Sequence, residues 1–216
     1  MSWFKQTCLS SVGKKYIMAV TGFMLGGFLL VHAAGNSSIF FGRHAFNSYA
    51  EHLHSLGFLV TIAEISLLSI FLLHIITGIS LYLHNLSARN NRYAVQKSAG
   101  GRTWGSRTMP YTGLAILAFI LLHLINVRFV NQHQPVADIV NGVLTKPVYS
   151  LVYGTAMLVV GLHISHGSWS VFQSLGINHP KYNSLLRAIS WIGCIVIAGI
   201  FLFIVLLLLF SNGQLA

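Results

Sequence analysis

The chain has 216 residues, of which 55% are hydrophobic and only 7% charged. That is too little polar surface to cover a water-soluble globule, so the composition describes an integral membrane protein. The formal charge of +10 gathers in the stretches between apolar runs, where it reads as a topology signal and not as a footprint for nucleic acid.

Five apolar runs are long enough to cross a hydrocarbon layer roughly 30 Å thick, which takes about 20 helical residues. They fall near residues 14–35, 57–84, 110–130, 148–172 and 185–210. None shows the alternating ten-residue segments of a membrane β-barrel. In lipid the backbone must then satisfy its own hydrogen bonds as helices. The expected fold is an all-α, five-helix transmembrane domain spanning residues 1–216.

The first span contains TGFMLGGFLLVH, residues 21–32, which ends on an ionisable ring, His32. Lys14-Lys15, an apolar run and Val31-His32-Ala33 also resemble a secretory signal with a cleavage site. The run is long for such a region, and its layout recurs in the third span, where nothing could be cleaved. It is therefore read as a retained helix. The second span carries Glu64, the one carboxylate inside a span, and His74 within HIITG. The third contains TGLAILAFILLH, residues 112–123: again Thr-Gly, nine residues and a histidine, His123. The fourth holds HISHG, with His163 and His166, and the fifth holds Cys194. Cys8 precedes the first span and is expected far from Cys194, which suggests neither a disulfide nor a thiolate metal site.

Lys5, Lys14 and Lys15 precede the first span, Arg89, Arg92, Lys97, Arg102 and Arg107 crowd the connection between the second and third, and Lys181 and Arg187 flank that between the fourth and fifth. The opposite connections carry Arg43, Arg128 and Lys146. The positive-inside rule places the amino terminus in the cytoplasm and the carboxyl terminus outside, in a bacterial inner membrane.

Eleven histidines are many for this length, and four sit at matching places inside spans. His32 and His123 stand 91 residues apart and His74 and His163 stand 89 apart. The first two helices therefore recur as the third and fourth, a pseudo-repeat of about 90 residues. His163 keeps this period and the glycine four residues on, so it is the better candidate; His166, three residues later on an adjoining face, is held in reserve. His32 and His123 lie past the middle of outward-running helices and His74 and His163 past the middle of inward-running ones. One pair therefore belongs to the outer half of the membrane and the other to the inner half.

Two neutral imidazoles facing each other across a bundle supply both axial bonds of a haem iron. Helical rise puts two such irons roughly 10–15 Å apart along the membrane normal. With both axial positions filled, such haems carry electrons and activate no oxygen. A single intramembrane histidine is commonly a packing residue; four in two phased pairs are better explained as ligands. His84, His133 and His179 fall at span ends or in connections and need no such role. Gly78 and Gly167 would let a macrocycle approach the backbone, whereas Gly22 and Gly26 read as helix packing. Arg43 and Arg128 are candidates for outer haem propionates. Glu64 is a candidate proton acceptor beside a quinone, against the alternative of a carboxyl kept neutral by burial.

SSVGKKYIMAVTG near the amino terminus, AFN at 45–47, HLINVR at 123–128 and HISHGSWSVFQSLG at 163–176 resemble the five-helix dihaem cytochrome b anchor of succinate dehydrogenases and fumarate reductases, the succinate:quinone oxidoreductases. The similarity runs over nearly the whole chain. It implies a distal haem b on His32 and His123 and a proximal haem b on His74 and His163, the latter thirteen residues before a loop glycine, here Gly176. It also implies a flavoprotein subunit with covalent FAD, an iron–sulfur subunit, and a quinone, mostly menaquinone in this type, as electron partner. No FAD or iron–sulfur motif occurs in this chain, so those would be separate subunits. Some fumarate-reducing members carry a glutamate two residues before the fourth-helix ligand; Gly161 stands there, which favours succinate oxidation. A bc-type cytochrome would place two ligands on each of two helices, and a transporter would show broken helices and several carboxylates. A haemless anchor for a soluble dehydrogenase is the remaining competitor.

Overall fold

In a computed structural model, which describes residues 3–87, 104–130, 134–211 and 213, helices account for nearly all of the described residues. They are α1 (Trp3–Leu9), α2 (Ser11–Asn36), α3 (Arg43–Ser55), α4 (Phe58–Ser87), α5 (Trp104–His123), α6 (Val136–Leu144), α7 (Pro147–Ser174) and α8 (Asn183–Phe210). Five, namely α2, α4, α5, α7 and α8, are long and apolar enough to cross a membrane. The expected all-α fold with five helices long and apolar enough to span is borne out among the described residues; α5 begins six residues before the expected third span and gives way to the π turn at Leu124.

Local chemistry sets the ends. Ser10 caps α2, its hydroxyl accepting from the Gly13 amide at 3.0 Å, and Pro147 opens α7, where a missing N–H costs nothing. Past the end of α7, Gly176 takes the left-handed conformation (φ 74°). There Ile177 donates back to the Phe172 carbonyl at 2.8 Å, which stops the helix. α5 runs on into a wider π turn, Leu124–Arg128, closed by Phe129 N–H to Leu124 O at 2.9 Å.

The short amphipathic helices α3 and α6, which hydropathy alone does not show, lie together at one end of the bundle. Asn47 of α3 accepts from the Ala137 amide at the start of α6, at 3.0 Å. Arg43 pairs with Asp138 across the same contact at 2.7 Å. Phe46 beside Asn47 is buried with Ile39, Ala137, Leu144, Tyr153, Ile204, Val205 and Leu208. The tight core therefore sits at the α3/α6 end, between α7 and α8.

Along the bundle α2 packs on α4 and on α7, while α5 packs on α7 and meets α4 over a shorter stretch. These contacts make a ring of four in which α2 faces α5 on one diagonal and α4 faces α7 on the other. α8 lies outside the ring, chiefly against α7. Gly161 is part of that seam: its carbonyl accepts from the Cys194 thiol at 3.0 Å. A Cβ there would stand 3.2 Å from that of Ala198. Cys8 and Cys194 are both free, as expected.

Candidate functional site

The four matched histidines come from the four ring helices, and the diagonals pair them. His32 of α2 and His123 of α5 approach near the α3/α6 end, ring centres 6.1 Å apart and planes at 81°. Two metal–imidazole bonds of about 2 Å, plus the half-width of each ring, span about 6 Å. Aromatic rings surround this pair: Phe28 stacks on His32 at 5.3 Å and Phe201 lies 5.4 Å from it. Phe119 and Tyr153 lie 5.9 and 6.0 Å from His123. The Nδ1 of His123 is buried without a hydrogen-bond partner, and that of His32 has only a 3.4 Å contact with the Asn36 amide nitrogen.

His74 of α4 and His163 of α7 lie further from the α3/α6 end, close enough to interact electrostatically. Their anchoring differs from that of the first pair. His74 Nδ1 is 3.0 Å from Thr21 Oγ1 of α2, and His163 Nδ1 is 3.0 Å from Thr112 Oγ1 of α5. Each threonine also donates to its own helix, Thr21 to the Ile17 carbonyl at 2.8 Å and Thr112 to the Thr108 carbonyl at 3.1 Å.

That geometry selects a tautomer. A hydroxyl has one proton; when it goes to the helix carbonyl, Oγ1 accepts from an Nδ1–H. The opposite assignment leaves an Nε2–H donor with no acceptor among the described residues, the costlier defect inside an apolar bundle. Both rings therefore present an Nε2 lone pair, the form in which a neutral histidine binds a metal. Beside each threonine stands a glycine that gives the ring room. A Cβ on Gly22 would lie 3.3 Å from His74 Cε1, and one on Gly113 3.6 Å from His163 Cε1.

The Thr-Gly dipeptides of the two similar stretches thus serve the histidine of the following helix, a role their sequence did not disclose. They also give the distance between levels. Thr21 to His32 and Thr112 to His123 are each eleven residues, about 16 Å of helix axis. A pair of imidazoles supplies two donors, enough for a metal that brings the others with it, as porphyrin-bound iron does. A Cβ on Gly26 or Gly167 would meet no atom within 4 Å.

Several expectations change. Gly22 abuts the His74 ring where α2 packs on α4, while Gly26 meets nothing within 4 Å, so only one glycine of this GxxxG pair lies in a helix seam. Gly78 faces the methyl of Met18 at 3.0 Å, which leaves Gly167 as the open position of the two. Glu64, for which a carboxyl kept neutral by burial was the alternative, is instead half exposed and accepts from Arg128 Nε and Nη2 at 3.0 and 3.2 Å. Arg43 is committed to Asp138. Both arginines proposed for propionates therefore already have carboxylate partners. His166 packs against Gly105 near the start of α5, away from the Thr112 contact that holds His163. His84 is in the last turn of α4, and His179 accepts from the Lys181 amide at 3.2 Å in the α7–α8 connection. His133, and the cationic residues Arg89, Arg92, Lys97 and Arg102, lie outside the described residues.

No family model, curated protein or solved structure matches the chain. The chemistry of the site is argued from its residues.

Proposed function

We propose that this protein is a dihaem cytochrome b: the membrane-anchor subunit of a succinate:quinone oxidoreductase, passing electrons between an iron–sulfur subunit and menaquinone. The observation that carries the reading is the disposition of the four histidines. They stand on two diagonals at two levels, and each Nδ1 of the His74/His163 pair lies 3.0 Å from a threonine hydroxyl. A haemless anchor has no use for that arrangement. The family resemblance of the sequence supplies the flavoprotein and iron–sulfur partners and the quinone.

Bound haem would supply one-electron transfer. His32 and His123 would hold the distal group and His74 and His163 the proximal one. Thr21 and Thr112 orient the proximal rings, while Phe28, Phe119, Tyr153 and Phe201 keep water from the distal rings. Both levels lie within one ring of helices, so charge crosses much of the membrane without leaving the chain. Glu64, steadied by Arg128 on the α3/α6 side, is positioned to take a proton from a quinol or return one to a quinone.

The recurrence of Thr-Gly, a histidine contact and an outer helix in α2–α4 and again in α5–α7 supports an internal repeat. Basic residues at the end away from α3 and α6 support an amino terminus in the cytoplasm. The test is haem quantitation by pyridine haemochrome and reduced-minus-oxidised spectra on purified protein. Two b haems per chain are expected, falling to one in His32→Ala and in His163→Ala and staying at two in His166→Ala. Protein that binds no haem would leave a plain membrane anchor.

A further inference from the structure

The two proximal histidines have hydroxyl partners and the two distal ones do not, and this asymmetry has chemical content. We infer that Thr21 and Thr112 are paired positioning residues that set the electronic properties of one metal centre, each acting on a different axial ligand of the same iron. The inference rests on the dihaem reading. It adds a role for two residues that touch no cofactor themselves.

Each contact runs from Nδ1 to Oγ1 at 3.0 Å, between neighbouring helices of the ring: α2 to α4 and α5 to α7. An acceptor on Nδ1–H fixes the ring's rotation and tautomer. It also draws the proton toward oxygen, which makes Nε2 a stronger donor and favours the more highly charged, oxidised iron. The threonine hydroxyl is a better acceptor because its own proton is given to the carbonyl four residues earlier; in such a chain each bond polarises the next. At the distal pair the Nδ1 of His123 has no hydrogen-bond partner among the described residues, and that of His32 has only the Asn36 amide nitrogen at 3.4 Å. The same effect is therefore absent there. Gly22 and Gly113 belong to the device, because each leaves the Cε1 edge of the ring free to lie flat against the helix.

The experiment is a potentiometric titration of the purified full-length protein, following the two b-haem absorbance components, in wild type, Thr21→Val, Thr112→Val, the double variant, and Thr21→Ser and Thr112→Ser. Valine keeps the threonine shape without the acceptor. Each valine variant should retain both haems and raise the midpoint of the same single component. A threefold to tenfold change in its oxidised/reduced ratio is about 30–60 mV for one electron. The double variant should move it roughly twice as far, and the serine variants should stay near wild type. Two retained haems with unchanged midpoints would overturn the inference while leaving the dihaem reading intact. So would equal shifts in the serine and valine variants, or valine variants that move different components. Wild-type protein without haem would instead overturn the dihaem reading itself. Should one valine variant lose its haem, the other addresses the same iron from the opposite helix and decides the matter.

Discussion

A histidine that interrupts an apolar run is visible in sequence because nothing about helix insertion asks for it, so His32, His74, His123 and His163 could be singled out unaided. Thr21 and Thr112 could not. Threonine is ordinary in membrane helices, where its hydroxyl usually satisfies itself on the preceding turn. Here it does so and still offers a lone pair to a ring more than fifty residues away. Glycine is similarly mute, since a GxxxG pair predicts helix packing while Gly22 in fact faces His74. The structure predicts an outcome that packing would not: Gly22→Val, with branches forced into the 3.3 Å gap beside Cε1, should displace His74. Haem content should fall from two to one per chain with the His32/His123 component retained, as read from the reduced spectrum. A Gly22→Val protein that keeps both haems would show that the ring has slack which the distances do not suggest.

Among elements, α4 is the least embedded span, with Thr77 its one buried residue and only a short meeting with α5. What ties the two is the Glu64–Arg128 pair. Sequence reading missed it because the π turn after His123 adds a residue to the turn and re-aims Arg128. An ion pair at a lipid-facing seam should behave differently from its halves. Arg128→Leu strands a carboxylate in a poor solvent, at a cost on the order of 1–2 kcal/mol, between an exposed pair and a charge at the membrane centre. Removing both partners relieves that cost. Thermal unfolding in detergent or nanodiscs is therefore expected to show Arg128→Leu less stable than the Arg128→Leu/Glu64→Leu double variant. The reverse order would mean that an unpaired Glu64 carries no such penalty. The other expected carboxylate position is also explained at this scale: Gly161 faces α8 with Ala198 close by, so a glutamate there would wedge the α7–α8 seam apart.

For the molecule as a whole, the five spans were legible because hydropathy acts over twenty residues at a time. The outer helices α3 and α6 were not, being short and half polar. Their contribution is architectural: by joining through Asn47 and Asp138 they close one end of the bundle, and they lie on the His32/His123 side. The two histidine levels, about 16 Å apart along α2, therefore differ in their surroundings, one under a packed cap and one toward the basic end where a soluble partner would dock. On the proposed dihaem reading, that ordering would give electrons a direction. In the assembled complex, His32→Ala should leave the His74/His163 haem reducible by succinate at the wild-type rate, while electron delivery to menaquinone falls at least tenfold. His163→Ala should instead slow succinate reduction of the remaining haem itself, because the level nearest the partner is the one lost. Stopped-flow spectra of the two variants separate the cases. If His32→Ala proved the slower to accept electrons, entry would be from the α3/α6 end and the orientation in the membrane would have to be reversed.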